Sequence, residues 1–302
     1  MTAEATDKKA APSVVPADAV GEWLDSLDVS DATKRSYRNG LRAFEAYVSK
    51  HDLDLDELKE SDVRAFRDEL LVGRSPGTVS TYLIGIRSFY RWAGSDVFPD
   101  IAAHVKGASA TRDFKKDTLT PEQARKMLEA AKGNSELAKR NHAILNLMLR
   151  TGLRDVEVVR ADKGDIGSEA GQAVLYVHGK GRSGKDDFVV LTEEALGPIR
   201  RYLDERPDAQ GDDPLFASVS NRNRNGRLTT RTVSGIVKKA LQAIGIDDAR
   251  HTAHSLRHTA VTFALLGGAS LEDTQKMARH ADISTTMIYS HHIDRLANAA
   301  EG

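Results

Sequence analysis

Four short apolar stripes at helical spacing, most of them opened by a capping residue, constrain residues 16–95 more tightly than anything else in this 302-residue chain. Val20, Trp23, Leu24 and Leu27 recur at i, i+3, i+4 and i+7, and Tyr37, Leu41, Phe44 and Val48 make a second stripe. Val63, Phe66 and Leu70 make a third, and Val79, Leu83, Ile86 and Tyr90 a fourth. Apolar residues at this spacing share one face of an α-helix and leave the other face to water. Ser30 and Asp62 stand where the N-caps of the second and third helices belong, and Ser75-Pro76 reads as N-cap and first helical position of the fourth. Gly94 closes that last helix. One amphipathic helix cannot bury its own stripe, so the four together predict a compact helical bundle.

Outside the bundle the pattern changes. Residues 1–15 are small, polar and charged, the composition of a disordered tail. Residues 96–117 lose the helical period and carry Pro99, Gly107 and a basic group of Arg112, Lys115 and Lys116, which reads as a linker. A second unit, 118–302, opens at Thr120-Pro121-Glu122-Gln123, a capping box with proline in the first turn. A helix over about 136–150 follows and stops at Gly152. Residues 173–178 and 187–191 are strand-like and flank the segment GKGRSGKD, so they predict a hairpin with a long, basic, glycine-rich tip. From about Thr192 onward the chain reads as helical again. The fold class expected is mainly α (α+β): an N-terminal four-helix domain and a mostly helical second domain with a small antiparallel sheet.

Composition narrows the chemistry. The chain has no cysteine, which removes disulfides, thiolate zinc sites and a cysteine nucleophile. No apolar run approaches the roughly 18–20 residues of a membrane span, and the opening MTAEATDKKAAPSVVP lacks the apolar core of a secretory signal, so a cytoplasmic protein is expected. Net charge is -1, yet its distribution is uneven. Residues 1–70 hold 16 acidic side chains against 10 basic ones, and residues 221–260 hold 8 basic against 2 acidic. A polyanion can therefore meet a local basic surface, with Arg222, Arg224, Arg227 and Arg231 as candidate contacts, although a solvated basic face explains the same run.

Four places carry unusual polar groups. Arg154 follows a helix end, and Glu157 can hold its planar fork in one orientation for a phosphate; a surface ion pair is the plainer reading. Lys180 and Arg182 sit on the hairpin tip, where a lysine can enter a groove and deliver a proton or simply remain solvated. His254, Arg257 and His258 share one helix face, so a bound anion would relieve their mutual repulsion. The i, i+4 histidines also match zinc-ligand spacing, but Ser255 replaces the glutamate base and Arg257 would crowd the cation; His258 also suits a buried core position. His280 precedes Tyr289 by nine residues, and a tyrosine there can equally be packing.

Taken in order, two arginines, a lysine, histidines and a tyrosine form one coherent set for phosphodiester chemistry. A tyrosine hydroxyl attacks phosphorus, guanidiniums neutralise charge on the non-bridging oxygens, and the remaining groups move protons. Such a set calls for no metal and no cofactor.

This arrangement resembles the tyrosine recombinases of the phage integrase family. That family shows an Arg in T-G-L-R-x-x-E, a Lys in a G-K-G hairpin, H-x-L-R-H, a G-H pair, and a Tyr about nine residues on. The matches here are Arg154 with Glu157, Lys180, His254-Arg257-His258, His280 and Tyr289. The resemblance implies Tyr289 as nucleophile, with Arg154, Lys180, His254, Arg257 and His280 catalytic, and Glu157 and His258 supporting. It also implies a core-binding domain over 16–95 that clamps double-stranded DNA together with the catalytic domain. Further implications are a 3′-phosphotyrosyl link, a homo-tetramer on specific recombination sites, and partners that can include accessory DNA-bending proteins. Two departures stand out. Arg279 replaces the glycine before His280, and the longer hairpin tip offers Lys185 as a rival to Lys180. Two alternatives share parts of this reading: a DNA-binding regulator on the same fold, and a type IB topoisomerase or telomere resolvase with the same chemistry. A two-domain clamp on DNA should contact many phosphates, so log affinity should fall steeply with log salt. A flat response in a binding titration over increasing salt would contradict the clamp.

Overall fold

The computed structural model describes residues 17–54, 57–94, 100–108, 117–178, 184–185 and 187–297. The tail at 1–15 and the expected site residues Arg112, Lys115, Lys116, Lys180 and Arg182 lie outside that set. Contacts divide the chain into two compact units, residues 1–113 and 114–302.

The first unit is built from α1 (Ala17–Ser26), α2 (Asp31–Lys50), α3 (Glu60–Gly73) and α4 (Pro76–Ala93). Ser30 and Ser75 cap α2 and α4 by accepting from the amides of Thr33 and Thr78 at 3.3 and 3.2 Å. Asp62 does not cap α3. The helix starts at Glu60, and Asp62 reaches back from the first turn to the Lys59 amide at 2.8 Å. The carboxylate satisfies an orphan amide from inside the helix, a role that composition alone does not separate from an N-cap. The stripes meet as expected. Trp23, Phe44, Phe66, Leu83, Ile86 and Phe89 are buried, with Trp23 edge-on to Phe89 at 5.4 Å and Phe44 edge-on to Phe66 at 5.1 Å. Trp23 also satisfies its indole N–H on Ser88 Oγ at 3.2 Å. Ile101, Ala102 and Val105, which fall in the span expected to be linker, are buried in this same core. Three apolar residues in a turn are too few to show a helical period, so their burial was invisible in the pattern.

Helices α2 and α4 approach closely at two glycines. A Cβ on Gly40 would stand 2.8 Å from Tyr82 Cα, and one on Gly85 would stand 2.8 Å from Tyr37 Cα. Glycine in a helix interior costs about 0.5–1 kcal/mol relative to alanine, so the contact, not propensity, explains both residues.

The second unit opens with α5 (Pro121–Ala130), whose capping box pairs Thr120 and Gln123 in both directions. Helix α6 (Glu136–Thr151) runs through its centre and ends at Gly152, whose φ of 64° is left-handed. A short helix, α7 (Asp155–Arg160), follows at once. The sheet has three antiparallel strands in the order β1 (Ile166–Glu169), β2 (Gln172–Val177) and β3 (Asp187–Val190). Strands β2 and β3 are the expected hairpin, with Val174 opposite Val190 and Val177 opposite Asp187. Strand β1 was not foreseen; Ile166-Gly167-Ser168-Glu169 has no β-branched run, and pairing with β2 makes it a strand. Helices α8 (Glu193–Leu203), α9 (Thr230–Gln242), α10 (Ala253–Leu266), α11 (Leu271–Ala278) and α12 (Ser284–Ala297) complete the unit. Its core gathers Ile144, Leu147, Met148, Leu175, Ile199, Tyr202, Val237 and Leu256. The whole is mainly helical with one small antiparallel sheet, and among the described residues no helix is long and apolar enough to cross a membrane.

Gly85→Ala should lower stability by about 1–3 kcal/mol through overpacking, despite alanine's better helix propensity. Gly21→Ala in α1, where a Cβ meets nothing within 4 Å, should leave stability unchanged or raise it. Urea midpoints of the two variants decide; equal shifts would remove the close-approach explanation.

Candidate active site

Arg257 is the centre of the site. It lies on α10, is 1% exposed, and donates from one terminal nitrogen to Gly152 O at 2.6 Å. Its other terminal nitrogen donates to Ala278 O. Those two carbonyls end α6 and α11, where the helix dipoles are negative, so one guanidinium ties three helices together. Burial, with Arg154 and Arg279 nearby, pushes Arg257 down to about 9, which still leaves it a cation at neutral pH.

Arg154 follows the left-handed turn at Gly152 and is half-buried, its side chain 26% exposed. Glu157 holds it twice, taking its amide at 2.7 Å and its guanidinium at 2.8 Å. Arg154 also donates to Arg279 O at 3.4 Å. Glu157 itself is buried, and its second partner is the Arg279 guanidinium at 2.8 Å. Three guanidiniums against one carboxylate leave two positive charges uncompensated among these four side chains. An anion is the natural complement of such a site.

The histidines and the tyrosine lie beside these cations. His254 is exposed, and its ring meets that of His258 edge-on at 4.5 Å. The Tyr289 hydroxyl rests against His258 Nδ1. His280 Nδ1 is 2.8 Å from the hydroxyl of Thr286, which is fully buried, and its ring stacks towards Tyr289 at 6.2 Å between centroids. Burial, then His254 and Arg257, pushes His258 down to about 3. Burial, then Arg257, Arg154 and Arg279, pushes His280 down to about 4. Both rings are therefore neutral at pH 7. Tyr289 is 4% exposed, and burial pushes its hydroxyl up to about 12 against the pull of Arg257 and Arg154. It is a protonated phenol next to a neutral base.

The expected residues do not all converge. His258, expected only to support, touches the Tyr289 hydroxyl directly. Lys185, the rival to Lys180, is paired with Asp162 at 2.8 Å and Asp165 at 2.5 Å. Arg227 donates to Val159 O at 2.9 Å and to Asp162 at 2.5 Å, which makes it a tie within the unit. Arg224 reaches Glu136 at 3.4 Å, whereas Arg222 and Arg231 are exposed. Thr286 joins the site with no signal in the sequence, and Arg279, whose replacement of a glycine suggested an altered turn or a phosphate contact, joins it through Glu157. A threonine six residues from a histidine carries no motif, and the only sign for Arg279 was its place in a glycine position. Among the described residues no group of three or more His, Asp or Glu side chains is placed to hold a metal ion.

Comparison with known proteins covers nearly all of the chain. Residues 117–295 match the model of the phage integrase family, and residues 22–95 match that of the phage integrase N-terminal SAM-like domain. The tyrosine recombinase XerC of Corynebacterium efficiens is 32% identical over 282 residues, covering 91% of this chain and 86% of that protein. Among solved structures, the XerH site-specific recombinase bound to a palindromic difH substrate, in a post-cleavage complex, superposes with a TM-score of 0.75 at 20% identity, covering 96% of this chain and 90% of that one. A lambda integrase tetramer bound to a Holliday junction gives a TM-score of 0.68 at 18% identity, covering 90% of this chain and 75% of that one. At those identities the two structures bear on the fold alone.

The depressed histidines have a consequence for stability. Their folded values lie below the ordinary 6.5, so folding favours the neutral rings. That contribution is complete above about pH 6.5 and is lost as pH falls towards the folded values. From His258 alone the loss should be about 1–2 kcal/mol between pH 7 and pH 5. Thermal midpoints measured over that range should therefore fall less in His258→Asn than in wild type; parallel curves would contradict the buried neutral ring.

Proposed function

The chain belongs to the phage integrase family and is a tyrosine recombinase, and from that premise we propose that it cuts and rejoins double-stranded DNA at specific sites through a 3′-phosphotyrosyl intermediate on Tyr289. What carries this reading is one contact: the buried Tyr289 hydroxyl lies on the neutral imidazole of His258, in the same site as Arg154 and Arg257.

The steps follow from those groups. The scissile phosphodiester sits against Arg154 and Arg257, whose charges neutralise the non-bridging oxygens as the phosphorus becomes five-coordinate. Tyr289 Oη attacks phosphorus while its proton moves to a neutral imidazole, His258 being in contact and His280 stacked beside the ring. The bond from phosphorus to the 5′-oxygen breaks, and that oxygen leaves as a hydroxyl after taking a proton. Family resemblance gives that proton transfer to Lys180. His254, exposed on the same helix face, is assigned to the phosphate. Glu157 keeps Arg154 in place, and Thr286 orients His280. In the return step a 5′-hydroxyl from a partner strand attacks the phosphotyrosine and expels the tyrosine. The phosphate ester is exchanged and not hydrolysed, so no ATP is required.

At the level of assembly, four protomers would act on two sites and exchange strands in pairs through a Holliday junction, in integration and excision or in resolution. A lambda integrase of the same fold has been seen as a tetramer on such a junction. The 16–95 bundle would act as the core-binding half of a DNA clamp. The basic residues Arg112, Lys115, Lys116, Arg182, Arg222 and Arg231 are assigned to phosphate contacts; Arg224 and Arg227 are partly committed within the protein.

The test is covalent trapping on a nicked suicide duplex carrying the terminal sequence of the protein's own element, run on a denaturing gel. Wild type should give a protease-sensitive DNA-linked band, and Tyr289→Phe should give none. Binding by wild type without any adduct on verified sites would replace this reading with that of a DNA-binding regulator. Relaxation of plasmid DNA without site preference would instead favour a type IB topoisomerase.

A further inference from the structure

Arg279 stands at the position where the family's pattern has glycine, and three features of it are unfavourable in isolation. Its backbone is left-handed, with φ 53° and ψ 48°, a conformation that glycine adopts freely and arginine does not. Its side chain is 5% exposed, so a full cation is taken out of water. Its Nε is buried and makes no hydrogen bond among the described residues. A glycine would close α11 with none of these costs.

What the side chain does supply is charge at one carboxylate. Arg279 donates to Glu157 Oε2 at 2.8 Å, and its other terminal nitrogen donates to Met277 O at 2.8 Å, which fixes the guanidinium's direction. Glu157 at the same time holds Arg154 through its amide and its guanidinium. Without Arg279, Arg154 and Glu157 form a neutral pair, and Arg257 is left as the one uncompensated cation of the group. With Arg279 the same group carries two. A phosphodiester bears one negative charge as substrate and approaches two as the tyrosine oxygen adds and its proton leaves.

We propose that Arg279 is a positioning residue: by offsetting Glu157 it leaves Arg154 an uncompensated cation at the scissile phosphate, so the site matches the doubly charged transition state better than the singly charged substrate. This rests on the phosphotyrosyl reading above. The electrostatics of Glu157 agree with it. Burial pushes that carboxyl up, but the charge and hydrogen bond of Arg279, ahead of those of Arg154, outweigh burial and hold it below the usual carboxylate range. The carboxylate is thus ionised, and Arg279 shares it with Arg154 at the same 2.8 Å. Interactions stronger in the transition state than in the ground state act on rate, not on binding.

The experiment compares full-length wild type, Arg279→Lys, Arg279→Gln and Arg279→Gly in single-turnover cleavage of the same suicide duplex. Duplex affinity and thermal midpoint are measured alongside. Arg279→Gln should lose roughly tenfold or more in cleavage rate while its Kd stays close to wild type. Arg279→Lys should recover part of that loss, because it keeps the charge. Arg279→Gly should be as slow as Arg279→Gln although its thermal midpoint is higher than that of Arg279→Gln, since both lose the ion pair and glycine alone relieves the left-handed backbone. Cleavage at the wild-type rate by Arg279→Gln or Arg279→Gly would overturn the inference, as would equal losses in Arg279→Lys and Arg279→Gln. If wild type itself forms no adduct, the phosphotyrosyl reading falls and this inference falls with it.

Discussion

Three helices of the second unit, α6, α10 and α11, meet at one buried guanidinium. Arg257 is almost wholly enclosed and donates to the last carbonyls of α6 and α11. A buried cation is costly unless its hydrogen bonds are met, and helix C-termini offer orphan carbonyls with the right sign of charge. The left-handed turn at Gly152 turns its carbonyl to that arginine and sends the chain on into Leu153 and Arg154. The left-handed turn at Arg279 follows the Ala278 carbonyl in the same way and sends the chain on into His280. The two turns that carry Arg154, Arg279 and His280 therefore depend on a side chain from a third element, α10.

Burial sets the protonation states of the site, and the nearby cations add to it or oppose it. Positive charge and burial act together on His258 and His280, so both imidazoles are held neutral at a pH where free histidine would be partly charged. On Tyr289 the same two influences oppose each other, and burial prevails, so the hydroxyl keeps its proton. The site thus holds a protonated phenol and two neutral imidazoles beside fixed cations. Charge on a bound phosphate would change that balance, because an anion offsets the guanidiniums that depress the imidazoles.

Much of the fold was legible because its signals are local. The stripes of α2 and α4, the caps at Ser30, Ser75 and Thr120, and the stops at Gly94 and Gly152 each depend on residues within a few positions of one another. What escaped was made by partners distant in sequence. Strand β1 exists through pairing with β2; Ile101, Ala102 and Val105 are core because the first unit's helices receive them; Gly40 and Gly85 mark an approach of two helices. Asp62 shows the reverse limit, since a carboxylate near a helix start can serve from either side of the boundary.

The candidate site divides along the same line. From the sequence alone came the residue types and their order: Arg154 with Glu157, His254-Arg257-His258, His280 and Tyr289, a set expected to suit a phosphodiester. Order along the chain does not state which nitrogen meets which oxygen. That Tyr289 rests on His258, that Thr286 holds His280, that Lys185 is bound by Asp162 and Asp165, and that Arg279 shares Glu157 with Arg154 were decided by tertiary structure. The physical reason is range. Helix period, caps and motif spacing act over a few residues, whereas burial, ion pairing and the pKa shifts they cause arise between side chains that folding alone brings together.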